Sequence, residues 1–266
     1  MTLCNLLAGK EGDKFYMLAS ADRRGTTPLE ATDDCTKLHK FTDNIAFVAA
    51  GTLGTIYDVY VQSKNLFERY ATTSDKTVRG VGNFVHKALY EQIKSRTLNN
   101  EKKHPIGELE CHLGVGGIDF SEGPTIVSGQ ANAFGFSDMA VWYDEPFLSI
   151  GSGSRNAIPT IKSWLKFIGY TKPTKYINMP LKDAINCLTL AHLDAAEKTY
   201  TVSGEDKIDM ELIECENNKI TPRKIDDLPY KEVNEELKLQ KEIFKLHRQK
   251  PEALKAAIEN LSQQKN

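Results

Sequence analysis

Residues 2–22 read TLCNLLAGKEGDKFYMLASAD, and they decide the fold. Residues 2–8 alternate apolar and polar positions, Gly9-Lys10-Glu11-Gly12-Asp13 interrupts them, and residues 15–21 are apolar again. An alternating run before a turn-forming segment and an apolar run after it predict a β-hairpin that starts at the second residue. Residues 37–41 and 44–50 form two more predicted strands, separated by the turn pair Thr42-Asp43 and closed by Gly51.

Beyond Gly51 the period changes. Ile56, Val59, Tyr60, Leu66, Phe67 and Tyr70 recur at helical spacing, and Val78, Val81, Val85, Leu89 and Ile93 mark a second helix. Residues 108–118, 125–127, 140–143 and 147–150 return to short strand-like runs with Gly, Pro and Asp between them. Gly114-Val115-Gly116-Gly117 is followed by no Gly-Lys-Ser/Thr, so it reads as a strand end and turn and not as a phosphate loop. A helix is predicted after Gly153-Ser154, carrying Ile158, Ile161, Trp164, Leu165 and Ile168, and another over residues 180–199. Residues 207–213 and 219–221 are closing strands.

Strands, helices, strands, helices and strands in that order predict an α+β protein and not a regularly alternating parallel sheet. Two sheets packed face to face, each covered by helices, satisfy the order. Residues 1–225 are the expected domain. Residues 226–266 differ in character: Glu235, Glu236, Lys238, Lys241, Glu242, Lys245 and Arg248 surround Val233, Leu237, Ile243, Phe244 and Leu246, and Pro251 divides two helical stretches. This is a charged amphipathic helical extension, packed either on its own domain or against another subunit.

With 266 residues, 40% hydrophobic and 26% charged, and a net charge of -2, the chain has a globular composition and no basic excess for nucleic acid. No apolar run is long enough to span a bilayer, and no basic head with a long apolar segment marks a signal peptide, so a cytoplasmic location without membrane contact is expected. Cys4, Cys35, Cys111, Cys187 and Cys215 show no C-x-x-C spacing and are odd in number, which predicts free, buried thiols. No His-x-x-x-His or Cys/His spacing suggests a metal, no cofactor motif occurs, and no G-x-S-x-G nucleophile elbow is present.

Methionine aminopeptidases cut before small residues, so Thr2 is positioned to become the first residue. It would then carry a hydroxyl and an α-amine together, and an amine with a pKa of about 7.7–8.0 accepts a proton near neutrality. Around it the chain reads Thr2-Leu3-Cys4, then Ala19-Ser20-Ala21-Asp22-Arg23-Arg24-Gly25-Thr26, then Thr36-Lys37-Leu38, then Phe47-Val48-Ala49-Ala50-Gly51. In order, spacing and strand context this resembles proteasome β-type subunits and their bacterial relatives, N-terminal-nucleophile hydrolases. The resemblance covers roughly residues 2–215 and is strongest over the first fifty. It implies a four-layer αββα sandwich of two antiparallel sheets flanked by helices.

The resemblance also implies roles. Thr2 is the nucleophile, Lys37 a cation beside it, Asp22 the partner of Lys37, and Gly51 N–H the oxyanion donor. Phe147-Leu148-Ser149-Ile150-Gly151-Ser152-Gly153-Ser154 matches a Gly-Ser-Gly turn of the family, which makes Ser152 the hydroxyl beside the terminal amine. Read from the residues alone, the same string serves equally as a turn and helix N-cap. Thr26 matches a position that holds the peptide through its main chain, and Ala49, Leu53 and Cys35 match the specificity-pocket lining, with His39 nearby as a structural or pocket residue. Many members carry an Asp ahead of a late Ser-Gly pair. Here Ser203-Gly204 follow Tyr200, with Asp194 further upstream. The implied activity is a threonine-type peptidase in a homo-oligomeric ring, acting on peptides or unfolded protein, in some members with an ATP-dependent unfoldase. Alternatives are an amidohydrolase or peptide ligase on the same fold, or a noncatalytic ring subunit.

Overall fold

A computed structural model describes residues 2–26, 31–32, 35–99, 111–132, 135–136, 140–141, 145–170, 174–199, 202 and 208–225. All of them belong to one compact unit, Met1–Asp226. The extension predicted over 226–266 lies outside the described residues.

The described elements are β1 (Cys4–Glu11), β2 (Lys14–Asp22), β3 (Gly25–Thr26), β4 (Ala31–Thr32), β5 (Leu38–Thr42), β6 (Ile45–Gly51), α1 (Leu53–Tyr70), α2 (Val78–Asn99), β7 (Cys111–Asp119), β8 (Gly123–Asn132), β9 (Gly135–Phe136), β10 (Ala140–Val141), β11 (Phe147–Ile150), α3 (Ser154–Phe167), β12 (Ile177–Asn178), α4 (Leu181–Lys198), β13 (Ile208–Glu216) and β14 (Lys219–Lys224), with a 3₁₀ turn at Thr73–Asp75. The protein is α+β, with two main sheets and four α-helices among the described residues. The first sheet runs β11-β1-β2-β13-β14 and the second β10-β8-β7-β6-β5; β3 and β4 form a separate ribbon. Pairing is antiparallel throughout except for the two-residue β12, which runs parallel to β1.

The opening hairpin is present, but β1 runs on through Gly9-Lys10-Glu11, so the turn is only Gly12-Asp13, with Glu11 opposite Lys14. β13 and β14 close on Asn217-Asn218, with φ of 50° and 59°. Two successive positive φ values make the turn type whose twist matches that of the strands, and Asn tolerates them.

Alternation sorts the strand residues between two cores. Cys4, Leu6, Ala8, Met17, Ala19 and Ala21 of the first sheet share one cluster with Ala46, Val48, Ala50, Ile118 and Ile126 of the second. Ile45, Phe47 and Ala49, on the other face of β6, pack instead with Ile56 and Val59 of α1 and Val78, Val81, Val85 and Leu89 of α2. β6 is therefore buried on both faces, which explains a continuous apolar run where one-sided burial would give alternation. On the first sheet, Asn5 and Ser20 face His192 of α4.

The glycine string at 114–117 corrects the sequence reading. It lies inside β7 and not at a strand end. A Cβ on Gly114 would meet Leu148 at 2.7 Å, and one on Gly116 would meet Leu6 at 2.9 Å. Side chains of the first sheet occupy that space, so the glycines are there for close sheet approach and not for a turn. Four of the five cysteines are buried, Cys35 is half-buried, and all are free thiols. No helix among the described residues is long and apolar enough to cross a membrane.

Candidate active site

Thr2 and Asp22 come together because the hairpin that separates them in sequence pairs its two ends. Cys4 stands opposite Ala21, and beyond that pair Asp22 N–H donates to Leu3 O at 2.9 Å. Leu3 N–H in turn donates to Asp22 Oδ1 at 2.6 Å. The carboxylate thus holds the main chain next to Thr2. Its second oxygen accepts Arg24 N–H at 3.1 Å.

Lys37, just before β5, crosses to this carboxylate with Nζ 3.0 Å from Asp22 Oδ1, both side chains 0% exposed. The ammonium also donates to Arg24 O. A buried ammonium costs several kcal/mol in lost hydration, and an adjacent carboxylate and carbonyl are the groups that offset it. Burial pushes the Asp22 carboxyl up, while the Lys37 ammonium and the N–H groups of Leu3 and Arg24 pull the other way. Lys37 O accepts Ala49 N–H at 3.2 Å, which joins this residue to β6. Cys4 lies close by, its thiol donating to Ala49 O at 3.3 Å. Burial pushes that thiol far above its ordinary range, so it is no competing nucleophile.

The turn between β11 and α3 closes over Thr2 from the other side. Thr2 N–H donates to Ser152 Oγ at 3.3 Å, and Gly153 N–H donates to Thr2 O at 3.2 Å. Gly151 between β11 and Ser152 has φ +96°, and a Cβ there would sit 2.1 Å from Thr2 O. Ser154 Oγ then donates to Gly151 O at 2.6 Å at the start of α3. The Gly-Ser-Gly-Ser string is accordingly a clasp around the Thr2 main chain as well as a helix entrance. Thr2 is 3% exposed. With Met1 attached its nitrogen is an amide, a donor without basicity.

The remaining predicted residues fall in different places. Gly51 ends β6 at φ +134° and is exposed. Leu53 opens α1 and is 38% exposed. Cys35 is half-buried, its N–H on Arg23 O at 2.9 Å. Ala49 is fully buried in the cluster that β6 shares with α1 and α2, so it offers no surface in this conformation. Thr26 contributes main chain in β3, and its side chain lies outside the described residues. His39 stacks on Tyr60 with centroids 4.3 Å apart, and burial lowers its pKa. That is a packing role. Asp194 accepts Thr160 Oγ1–H at 2.5 Å and pairs with Lys198 at 3.4 Å, which ties α4 to α3. Tyr200, Ser203 and Gly204 lie outside the described residues.

Two features escaped the sequence reading. The Arg24 main chain serves both Asp22 and Lys37, and main-chain groups leave no mark in sequence. Asn5, Ser20 and His192 form a fully buried polar cluster; its signal was a polar residue at an inward position of each of three apolar segments. Among the described residues no group of three or more His, Cys, Asp or Glu side chains could hold a metal ion. No protein-family model matches the chain, and a comparison with curated proteins finds no match.

Proposed function

We propose that the chain is a threonine-type peptidase of the proteasome kind, in which removal of Met1 converts the Thr2 amide nitrogen into an amine and Thr2 attacks a peptide carbonyl. The observation that carries this reading is the hold on Thr2: Ser152 Oγ on its nitrogen and Gly153 N–H on its oxygen, beside a buried Asp22–Lys37 pair anchored to Leu3 N–H. A structural N-terminus has no need of a buried ammonium held at such cost.

On this reading Thr2 Oγ gives its proton to the α-amine, directly or through water, as the C–O bond forms. The Lys37 ammonium favours the neutral amine and the developing alkoxide, and Asp22 orients Lys37. The oxyanion rests on Gly51 N–H. The protonated amine, which Ser152 contacts, then protonates the departing peptide nitrogen as the C–N bond breaks. Water, deprotonated by the same amine, cleaves the ester and restores Thr2. Thr26, Cys35 and Leu53 are the groups that face the peptide; Ala49 joins them only where a pocket opens.

The reading extends the two facing sheets to a four-layer αββα sandwich over residues 1–225, with 226–266 as a helical extension, assembled as a homo-oligomeric ring in the cytoplasm that takes peptides or unfolded protein. Intact mass spectrometry with and without a threonine-directed electrophile tests the chemistry. Loss of Met1 and one adduct that disappears in Thr2→Ala are expected. Retention of Met1 with no adduct on Thr2 would sink the proposal.

A further inference from the structure

Four main-chain groups beside the Met1–Thr2 bond are engaged in the folded protein: Thr2 N–H donates to Ser152 Oγ, Thr2 O accepts Gly153 N–H, Leu3 N–H donates to Asp22 Oδ1 and Leu3 O accepts Asp22 N–H. Thr2 is 3% exposed and Leu3 is fully buried. A Cβ added at Gly151 would stand 2.1 Å from Thr2 O, so the clasp leaves no room beside that carbonyl.

Whether a terminal bond can be cut is decided by the burial and hydrogen bonding of the backbone that carries it. Hydrolysis at Met1–Thr2 adds a hydroxyl from water to the Met1 carbonyl carbon and a proton to Thr2 N as the C–N bond breaks. An aminopeptidase must therefore draw that carbon and Thr2 N into its own catalytic centre. In the folded chain Thr2 N is held by Ser152, and the next peptide nitrogen is held by Asp22. The bond reaches an outside enzyme only when the clasp opens, and cleavage then runs in proportion to the small open population.

The two halves of this hold arise at different times. Asp22 lies 19 residues from Leu3, so the hairpin can pair as soon as both strands are made. Ser152 lies 150 residues from Thr2, so the clasp cannot close over Thr2 N until the β11–α3 turn has been synthesised. At about 5–20 residues per second, that interval is about 8–30 s.

We propose that Met1 is removed from the growing or unfolded chain, before the β11–α3 turn closes, and that a chain which folds first is fixed with Met1 in place. The reaction that supplies the Thr2 amine is an aminopeptidase step that precedes folding, not one that acts on the finished protein. This order follows from the clasp whatever the chemistry at Thr2. Its consequence, that the contest between aminopeptidase and folding sets the yield of active enzyme, rests on the peptidase reading.

Order of addition tests it. The full chain is made by cell-free translation without methionine aminopeptidase, the purified aminopeptidase is added either at the start of synthesis or after folding, and intact mass reads Met1. Early addition should remove Met1 from nearly every chain. Late addition should act at least about a hundredfold more slowly than on a free peptide of residues 1–8, the ratio for an open population of about 1%. Ser152→Ala removes one bond of the clasp, so late addition should act about tenfold faster on it than on the parent. Equal rates on the folded parent and the peptide, loss of Met1 from the folded parent in buffer alone, or a folded Ser152→Ala chain as resistant as the parent each overturn the proposal. Should Ser152→Ala fail to fold, the comparison of parent and peptide decides. A threonine-directed electrophile separates this order from the peptidase reading. Labelling of the early-treated chain and not of the late-treated one supports both. If neither labels and Met1 is lost only on early addition, the peptidase reading fails and the order of maturation holds.

Discussion

Replacing Lys37 by Met puts the buried ion pair to a quantitative test. Met retains most of the apolar stem and removes the ammonium that stands 3.0 Å from Asp22 Oδ1, where neither side chain touches water. Breaking a buried pair from one side costs about 3–5 kcal/mol, because the surviving charge stays buried. Asp22 keeps the N–H groups of Leu3 at 2.6 Å and Arg24 at 3.1 Å, which places the expected loss at the lower end, about 3 kcal/mol. The pH dependence follows from the direction of the Asp22 shift. Burial raises its folded-state pKa, so the ionised form opposes folding, and stability falls as pH rises through the folded value. Without Lys37 that value rises further. The deficit of Lys37→Met should therefore be largest near about pH 7.5 and shrink near about pH 5 as the carboxyl takes up a proton. Urea unfolding of parent, Lys37→Met, Asp22→Asn and the double variant, followed by far-UV circular dichroism at both pH values, measures it. With a slope of about 2–3 kcal/mol per M, the midpoint should drop by about 1–1.5 M at the higher pH. The double variant should be more stable than the sum of the single losses by about 1 kcal/mol or more. A Lys37→Met midpoint equal to the parent's near about pH 7.5, or a deficit that grows in acid, would show that the pair does not hold the hairpin end as argued.

Gly151→Ala should destabilise the protein by about 2–3 kcal/mol in the same assay, since φ is +96° and the added carbon would lie 2.1 Å from Thr2 O; a stability loss below about 0.5 kcal/mol would mean that the clasp yields freely. Ser152→Ala should cost at most about 1 kcal/mol in stability yet slow adduct formation at Thr2, and equal labelling rates in the two proteins would remove Ser152 from the mechanism. His192 binds its proton only near pH 3 when folded, against an ordinary value of 6.5. Its stabilising contribution is complete above about pH 6.5 and falls by about 1.4 kcal/mol for each unit below that. A urea midpoint series from about pH 7 to about pH 4 should therefore slope more gently in His192→Gln than in the parent, and parallel curves contradict the assignment.

Much of the architecture was legible in residues 2–22 and in the period changes that follow. The opening hairpin, the helix over Leu53–Tyr70 and the strand Phe147–Ile150 are all present where local pattern puts them, although the hairpin turn is shorter than the Gly9–Asp13 segment suggests. Two-residue strands such as β9 and β12 are too short to carry a period, and only their partners define them. The reading of Gly114–Gly117 as a turn failed because glycine marks both turns and close contact between layers, and a single strand does not reveal its neighbour.

Side-chain alternation and turn chemistry arise from the sterics of neighbouring residues, so the sequence by itself determined the hairpin, the helical segments and a short list of polar residues at its strand ends. It could not assign Ser152 between a helix cap and a partner of Thr2, or foresee that Asn5, Ser20 and His192 meet. Those contacts join residues about 150 or more positions apart, and nothing short-range distinguishes them from solvent-facing or core positions. Packing of the layers decided them: once α4 covers the first sheet and the β11–α3 turn reaches the end of β1, each buried polar group must bond to what lies opposite.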